Sequence, residues 1–189
     1  MEPVLVSIGL VALAEMGDKT QLLSFLLAAR LRRRWAIIFG ILIATLLNHA
    51  LAGSVGYLLA GWIPRNALIW ITGLAFIGFG LWTLHPDALQ GDLRLRGAGP
   101  LLATVIAFFV TEMGDKTQLA TIALAARFRA PVQVVLGTTL GMMLANIPAV
   151  WLGERLAQRV PMTALRIVAA VLFLGMGILT LLNLTKEAT

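Results

Sequence analysis

Apolar residues run in six long blocks along the chain, and short segments rich in arginine, proline or glycine separate the blocks. A helix needs at least about 17 mostly apolar residues to cross a bilayer, and each block reaches that length. The pattern therefore predicts an all-α integral membrane protein with six transmembrane helices. Their approximate ranges are 3–29, 36–61, 67–84, 100–126, 132–154 and 163–184.

The second half of the chain repeats the first. Residues 15–84 align without gaps on residues 112–181, and 27 of the 70 aligned residues are identical. The match begins with the string Glu-Met-Gly-Asp-Lys-Thr-Gln-Leu in both copies. Each copy contains three predicted spans, and because three is odd, the second copy enters the membrane from the opposite side. We expect two inverted three-helix repeats, residues 1–84 and 100–189, joined by a linker at 85–99.

The composition favours a membrane protein over a soluble one. The chain is 59% hydrophobic and 13% charged, whereas soluble domains average about 45–50% and about 25%. This excess of apolar residues excludes a soluble enzyme, a nucleic-acid-binding module and a disordered chain. We therefore expect the lipid bilayer as the environment and no nucleic-acid partner. Cysteine is absent, so the sequence has neither a disulfide framework nor a thiolate metal site.

The basic residues predict how the chain is oriented, because arginine and lysine are enriched in cytoplasmic loops. Nine basic residues lie on the side reached after spans one, three and five: Arg30, Arg32, Arg33, Arg34, Arg94, Arg96, Arg155, Arg159 and Arg166. Four lie on the opposite side: Arg65, Arg127, Arg129 and Lys186. This bias places the central linker in the cytoplasm and both termini outside.

Two identical charged strings lie where charges are costly. The first motif, residues 15–20, falls near the centre of span one, and the second motif, residues 112–117, near the centre of span four. A charge at the bilayer centre costs about 2.5–3.5 kcal/mol, so ionisable residues there indicate function. Each motif also contains a glycine, Gly17 or Gly114, which permits either a close helix approach or a local break in the helix.

Antiparallel packing of the two copies would bring four carboxylates into one pocket. These candidate metal ligands are Glu15, Asp18, Glu112 and Asp115. Carboxylate oxygens are the preferred ligands of hard divalent cations, which include Mn²⁺ and Ca²⁺. The motifs therefore predict one central cation site, although two separate sites are also compatible with the sequence.

Two lysines in the motifs, Lys19 and Lys116, are expected to balance charge. A charged ammonium group has no lone pair, so it does not bind a metal ion. The four carboxylates carry −4 and the two lysines +2, which leaves a net charge of −2. One divalent cation or two protons neutralise that charge, so protons and cations should compete for the site. This competition is the chemistry of a cation/proton exchanger.

Five further polar residues within the predicted spans are second candidates for cation binding: Gln21, Asn48, His49, Gln118 and Asn146. His49 and Asn146 occupy equivalent positions in the two repeats. An imidazole nitrogen would suit Mn²⁺ better than Ca²⁺. Hydrogen bonding between helices is an equally good interpretation of both asparagines, and a simple helix contact explains His49 equally well.

The doubled motif resembles that of a known family. The string Glu-x-Gly-Asp-Lys/Arg-Thr/Ser, present here in both copies without departure, is similar to the motif of the Gdt-like membrane proteins first catalogued as uncharacterised protein family 16. That family includes Golgi and chloroplast manganese/calcium transporters and bacterial manganese exporters. The resemblance covers nearly the whole chain and implies transport of Mn²⁺ or Ca²⁺ against H⁺, with the motif acids binding the cation. It implies no cofactor and, for a chain of this size, a bacterial plasma membrane.

These features together predict a secondary active transporter rather than an enzyme, exporting Mn²⁺, or else Ca²⁺, in exchange for H⁺ by alternating access. The first alternative is transport of another solute, a cationic amino acid or Na⁺. A second is an intramembrane aspartyl protease with Asp18 and Asp115 as its acid–base pair, although the single tyrosine, Tyr57, precedes leucine rather than aspartate. A third is a structural membrane scaffold. Whether the chain forms a homo-oligomer is left open by the sequence.

Overall fold

The computed structural model describes residues 1–85, 98–152 and 162–187. Within these ranges it contains eight helices and no strands. They are α1 (Glu2–Glu15), α2 (Lys19–Leu31), α3 (Arg34–Trp62), α4 (Arg65–Thr83), α5 (Pro100–Glu112), α6 (Lys116–Phe128), α7 (Pro131–Leu152) and α8 (Met162–Glu187). Most of the predicted linker, residues 86–97, lies outside the described residues, so the predicted division into two repeats and a linker stays a prediction.

Among the described residues, four helices are long and apolar enough to cross a membrane. They comprise Arg34–Trp62, Arg65–Thr83, Pro131–Trp151 and Thr163–Leu182, which correspond to the second, third, fifth and sixth predicted spans. Large apolar side chains remain exposed on these helices, including Leu58 at 58% and Val171 at 61%. Such outward apolar faces are suited to lipid rather than to water.

The other two predicted spans, 3–29 and 100–126, are not continuous helices. In the first, α1 ends at Glu15 and α2 begins at Lys19. In the second, α5 ends at Glu112 and α6 begins at Lys116. Both glycines of the motifs lie in these gaps and have positive φ. Of the two roles predicted for them, a break in the helix and a close approach between helices, the structure shows the break.

The two sequence repeats interlock. Helix α1 of the first repeat packs along α7 of the second, and α5 of the second packs along α3 of the first. Helices α4 and α8, which are equivalent by sequence, pack against each other. Each broken helix therefore lies against a long helix from the other repeat, and this exchange brings the two motifs towards one another.

Small residues allow these helices to approach closely. A Cβ atom added at Gly40 of α3 would lie 2.6 Å from the Cβ of Thr104 on α5. Its repeat equivalent, Gly137 of α7, would place a Cβ 2.7 Å from the Cβ of Ser7 on α1. Because a side chain at either position would push the helices apart, these two glycines fix the distance between the long helices and the broken ones.

The crossing of α4 and α8 offers a direct test of this packing. A Cβ at Gly177 would lie 2.8 Å from the backbone oxygen of Gly73, whereas a Cβ at Gly175, two residues earlier, meets nothing within 4 Å. We expect Gly177→Ala to lower the melting temperature in detergent by about 2–12 °C, because overpacking costs roughly 1–3 kcal/mol. Gly175→Ala should leave it unchanged or raise it slightly, since alanine favours a helix over glycine. Equal effects of the two substitutions would contradict the contact.

Candidate metal centre

A tight turn breaks the helix at the first motif. The N–H of Asp18 donates a hydrogen bond of 3.1 Å to the carbonyl oxygen of Glu15. Met16 has φ −67° and ψ 114°, and Gly17 has φ +84°. These values match a type II β-turn, which needs a positive φ at its third residue. Glycine adopts that conformation without steric cost, and this requirement explains its place in the motif.

The second motif forms the same turn. The N–H of Asp115 donates to the carbonyl oxygen of Glu112 at 3.1 Å, Met113 has φ −65° and ψ 118°, and Gly114 has φ +77°. In each copy a glutamine closes the turn from the following helix. Gln21 Oε1 accepts from the N–H of Gly17 at 2.9 Å, and Gln118 Oε1 accepts from the N–H of Gly114 at 2.8 Å.

The two turns bring acids from both motifs together. Glu15, Glu112 and Asp115 each offer a carboxylate oxygen, and these oxygens lie within 4.8 Å of one another. We call these three residues the acid cluster. Their residue exposures are 0%, 0% and 2%. Asp18, the fourth predicted ligand, is equally buried at 2%, but it does not belong to the acid cluster.

The lysines pair across the repeats. Lys19 Nζ lies 2.7 Å from Asp115 Oδ1, and Lys116 Nζ lies 2.8 Å from Asp18 Oδ1. The Lys116 contact is also a directed hydrogen bond, and the Lys19 contact is an ion pair. Each motif therefore supplies the counter-ion for the aspartate of the other motif.

Threonine hydroxyls orient both glutamates of the acid cluster. Thr20 Oγ1 donates to Glu15 Oε2, and Thr117 Oγ1 donates to Glu112 Oε2 at 3.0 Å. The second oxygen of each glutamate, Oε1, is buried and has no hydrogen-bond partner in the part of the chain that the structure describes. A buried carboxylate oxygen without a donor is costly, and a bound cation or proton would satisfy it.

Four of the five second candidates make hydrogen bonds around the motifs. Gln118 Nε2 donates to Asn48 Oδ1 at 3.2 Å. At the equivalent place in the other repeat, Gln21 Nε2 donates to the backbone oxygen of Ala145 at 3.2 Å. Positions 48 and 145 are equivalent in the two repeats. The glutamine therefore donates to a side-chain amide oxygen, that of Asn48, in one case and to a backbone oxygen, that of Ala145, in the other. These glutamines and Asn48 connect the turns to the long helices.

His49 and Asn146, also equivalent, have different surroundings. Asn146 Oδ1 accepts from Ser24 Oγ at 2.7 Å, and its Nδ2 donates to the carbonyl oxygen of Met142 at 3.1 Å. His49 is fully buried, and neither ring nitrogen has a hydrogen-bond partner among the described residues. It does not belong to the cation-sized acid cluster. Its role as a cation ligand stays a prediction.

Sequence reasoning assigned some site residues too little importance. Arg166, counted above only for membrane orientation, donates from Nη2 to the carbonyl oxygen of Gly17 at 2.9 Å. Its equivalent in the first repeat is Ile69, so this contact has no counterpart from that position. The hydroxyl of Ser24, which donates to Asn146, was likewise not among the predicted ligands.

The turn geometry predicts a specific sensitivity at Gly114. A Cβ there meets nothing within 4 Å, so Gly114→Ala tests the positive φ alone. We expect a loss of about 1–2 kcal/mol of stability, because L-residues pay that cost in the left-handed region. A lower melting temperature in detergent would report the loss. Gly9→Ala is the matched control, since Gly9 is also uncrowded but lies within α1. If the two variants melt together, the turn does not require glycine.

Comparisons with known proteins identify the family and several relatives of this chain. The family model described as divalent cation/proton antiporter GDT1 matches the chain twice, over residues 3–91 and 100–188. A Vibrio cholerae protein named "Putative manganese exporter" is 46% identical over 181 residues, covering 95% of this chain and 90% of that protein. GDT1-like protein 5 of Arabidopsis thaliana is 30% identical over 216 residues, covering 94% of each.

A further relative is GDT1-like protein sll0615 of Synechocystis, which is 30% identical over 188 residues and covers 87% of this chain and 89% of that protein. No solved structure matches the chain. The two family-model matches together span nearly the whole chain, and each contains one copy of the motif. They also confirm the prediction of a transporter rather than an enzyme. The chain belongs to the GDT1 family of divalent cation/proton antiporters.

Proposed function

We propose that this chain exports Mn²⁺ from a bacterial cell in exchange for H⁺, and that Glu15, Asp18, Glu112 and Asp115 form its cation site. The observation that carries the proposal is the acid cluster, in which both motifs contribute buried carboxylates at distances that suit one ion. The family supplies the cation/proton exchange, and the name of the Vibrio relative favours manganese.

The ligand chemistry of the cluster supports a hard divalent cation. Three carboxylates and two neighbouring threonine hydroxyls are oxygen donors, and Mn²⁺ and Ca²⁺ both accept oxygen ligands. The unpartnered Oε1 atoms of Glu15 and Glu112 are the first atoms that an entering cation would meet without displacing a hydrogen bond. Asp18, in the first motif beside the cluster, would add its negative charge to the site while it stays paired with Lys116.

Exchange follows from the charge of the site. Four carboxylates and two lysines leave a net charge of −2, which one divalent cation or two protons neutralise. A proton on either glutamate removes a ligand charge, so proton entry from outside weakens cation binding and favours release. Binding of protons and of the cation is therefore mutually exclusive, and each drives the release of the other.

Alternating access would use the interlocked repeats. In this proposal α1 with α2, and α5 with α6, each cross the membrane as one broken span, so that six spans form two inverted repeats. Both termini then lie outside the cell and the central linker lies in the cytoplasm of a bacterium. Broken helices that meet at the bilayer centre are a common site for substrates in transporters built from inverted repeats.

Transport by purified protein in proteoliposomes tests the site. With an imposed pH gradient, wild-type protein should move Mn²⁺, and Glu15→Gln or Asp115→Asn should reduce the initial rate at least tenfold, because each removes a ligand charge. Glu2→Gln is the matched control, since Glu2 is an exposed carboxylate at the opposite end of α1 from the first motif. Its rate should equal that of the wild type.

Two results would contradict the proposal. An Mn²⁺ flux that does not depend on the pH gradient would contradict the exchange for protons. An undiminished flux in Glu15→Gln or Asp115→Asn would contradict the shared carboxylate site. Competition by Ca²⁺ in the same vesicles decides the ion: Mn²⁺ export requires that a tenfold excess of Ca²⁺ inhibit Mn²⁺ flux by less than half.

The membrane orientation is tested separately, and the absence of cysteine makes the measurement free of background. Single cysteines replace Glu2, Asp92 and Thr189, and intact cells are treated with a membrane-impermeant maleimide. Positions 2 and 189 should react at once, and position 92 only after permeabilisation, because the termini and the linker are proposed to lie on opposite sides. Labelling of position 92 in intact cells would reverse the orientation. Labelling of only one terminus would exclude an even number of spans.

A further inference from the structure

The two motifs are identical in sequence, but their lysines have different surroundings. Lys19 pairs with Asp115, and its side chain is 19% exposed. Lys116 pairs with Asp18, and its side chain is 3% exposed. Lys19 is therefore the more exposed of the two lysines.

The two aspartates also differ in their position. Asp115 belongs to the acid cluster, whereas Asp18 does not. Lys19 thus pairs with Asp115, a member of the acid cluster, whereas Lys116 pairs with Asp18, which lies outside the cluster. An ammonium group 2.7 Å from Asp115 and a divalent cation bound to the same carboxylate would place two positive charges within a few ångströms of each other. Their repulsion inside a buried site is strong.

We propose that Lys19 is an internal counter-cation that leaves Asp115 when the transported cation binds, whereas Lys116 stays on Asp18 and ties the two repeats together. Lys19 moves towards solvent on the side where it is already partly exposed. Its return to Asp115 helps to expel the cation, so Lys19 keeps the affinity low enough for release. This inference rests on the proposed function, because it requires a cation at the acid cluster.

The first experiment measures Mn²⁺ affinity by isothermal titration calorimetry in detergent. We expect Lys19→Gln to bind MnCl₂ at least tenfold more tightly than wild type, because the competing charge is gone. Lys19→Arg should bind within about threefold of wild type, because the charge is restored. A general loss of structure would weaken binding in both variants, so it would not produce this pattern. Lys116→Gln should not tighten binding.

The second experiment uses the wild-type protein and needs no substitution. Brief reductive methylation with formaldehyde and a borohydride, followed by peptide mass spectrometry, measures the reactivity of each lysine. Saturating MnCl₂ should raise the methylation rate of Lys19 at least threefold and leave the rate of Lys116 unchanged. The change identifies which lysine becomes accessible when the cation binds.

The outcomes separate this inference from the function on which it rests. Heat of Mn²⁺ binding with no change at Lys19 would overturn the inference and leave the cation site intact. A rise at Lys116 instead of Lys19 would overturn it as well. Absence of any binding heat for Mn²⁺ and Ca²⁺ would overturn the cation site itself, and the role of Lys19 with it. Weaker rather than tighter binding by Lys19→Gln would make Lys19 a structural residue.

Discussion

The fold depends on how four carboxylates are held out of water. A single charge at the bilayer centre costs about 2.5–3.5 kcal/mol, and a buried ion without its partner is strongly destabilising. Each motif aspartate is paired with the lysine of the other repeat, since Lys19 lies against Asp115 and Lys116 against Asp18. The halves must interlock for either motif to be buried. The packing of α1 on α7 and of α5 on α3 is the structural form of that requirement.

The breaks in the helices serve the same end. Asp18 and Asp115 are the N-cap residues of α2 and α6, and the N-terminus of a helix favours negative charge. The same dipole disfavours Lys19 and Lys116, which begin these helices. Their position is compensated only because each reaches an aspartate of the other motif. A continuous helix would offer no such termini, so the type II turn and its glycine are part of the electrostatics of the site.

The sequence predicted much of this arrangement, and the limits have physical causes. Hydropathy located the four long helices to within a few residues, since length and apolar content suffice for that. The motif acids stood out because charge is rare in apolar spans. A glycine between two acids suits a break and a close contact equally well, and only the positive φ of Gly17 decides. Each lysine pairs with the aspartate of the other motif, and this pairing depends on how the helices pack. The spacing of residues along the chain does not predict it. Arg166 was counted only for membrane orientation, because its contact with Gly17 joins the two repeats and depends on packing through space.

The two motifs are identical in sequence but differ in their surroundings. The two motifs carry the same residues from Glu to Leu, so any difference between the two sides of the site must come from its neighbours. Those neighbours do differ. Gln118 donates to the side chain of Asn48, whereas Gln21 donates to the backbone oxygen of Ala145. The position of Arg166 is occupied by Ile69 in the first repeat. Lys19 and Lys116 are also unequally exposed, and because the motifs are identical, this difference arises outside them. The duplicated motif thus supplies identical residues in unequal positions: Asp115 belongs to the acid cluster and Asp18 does not.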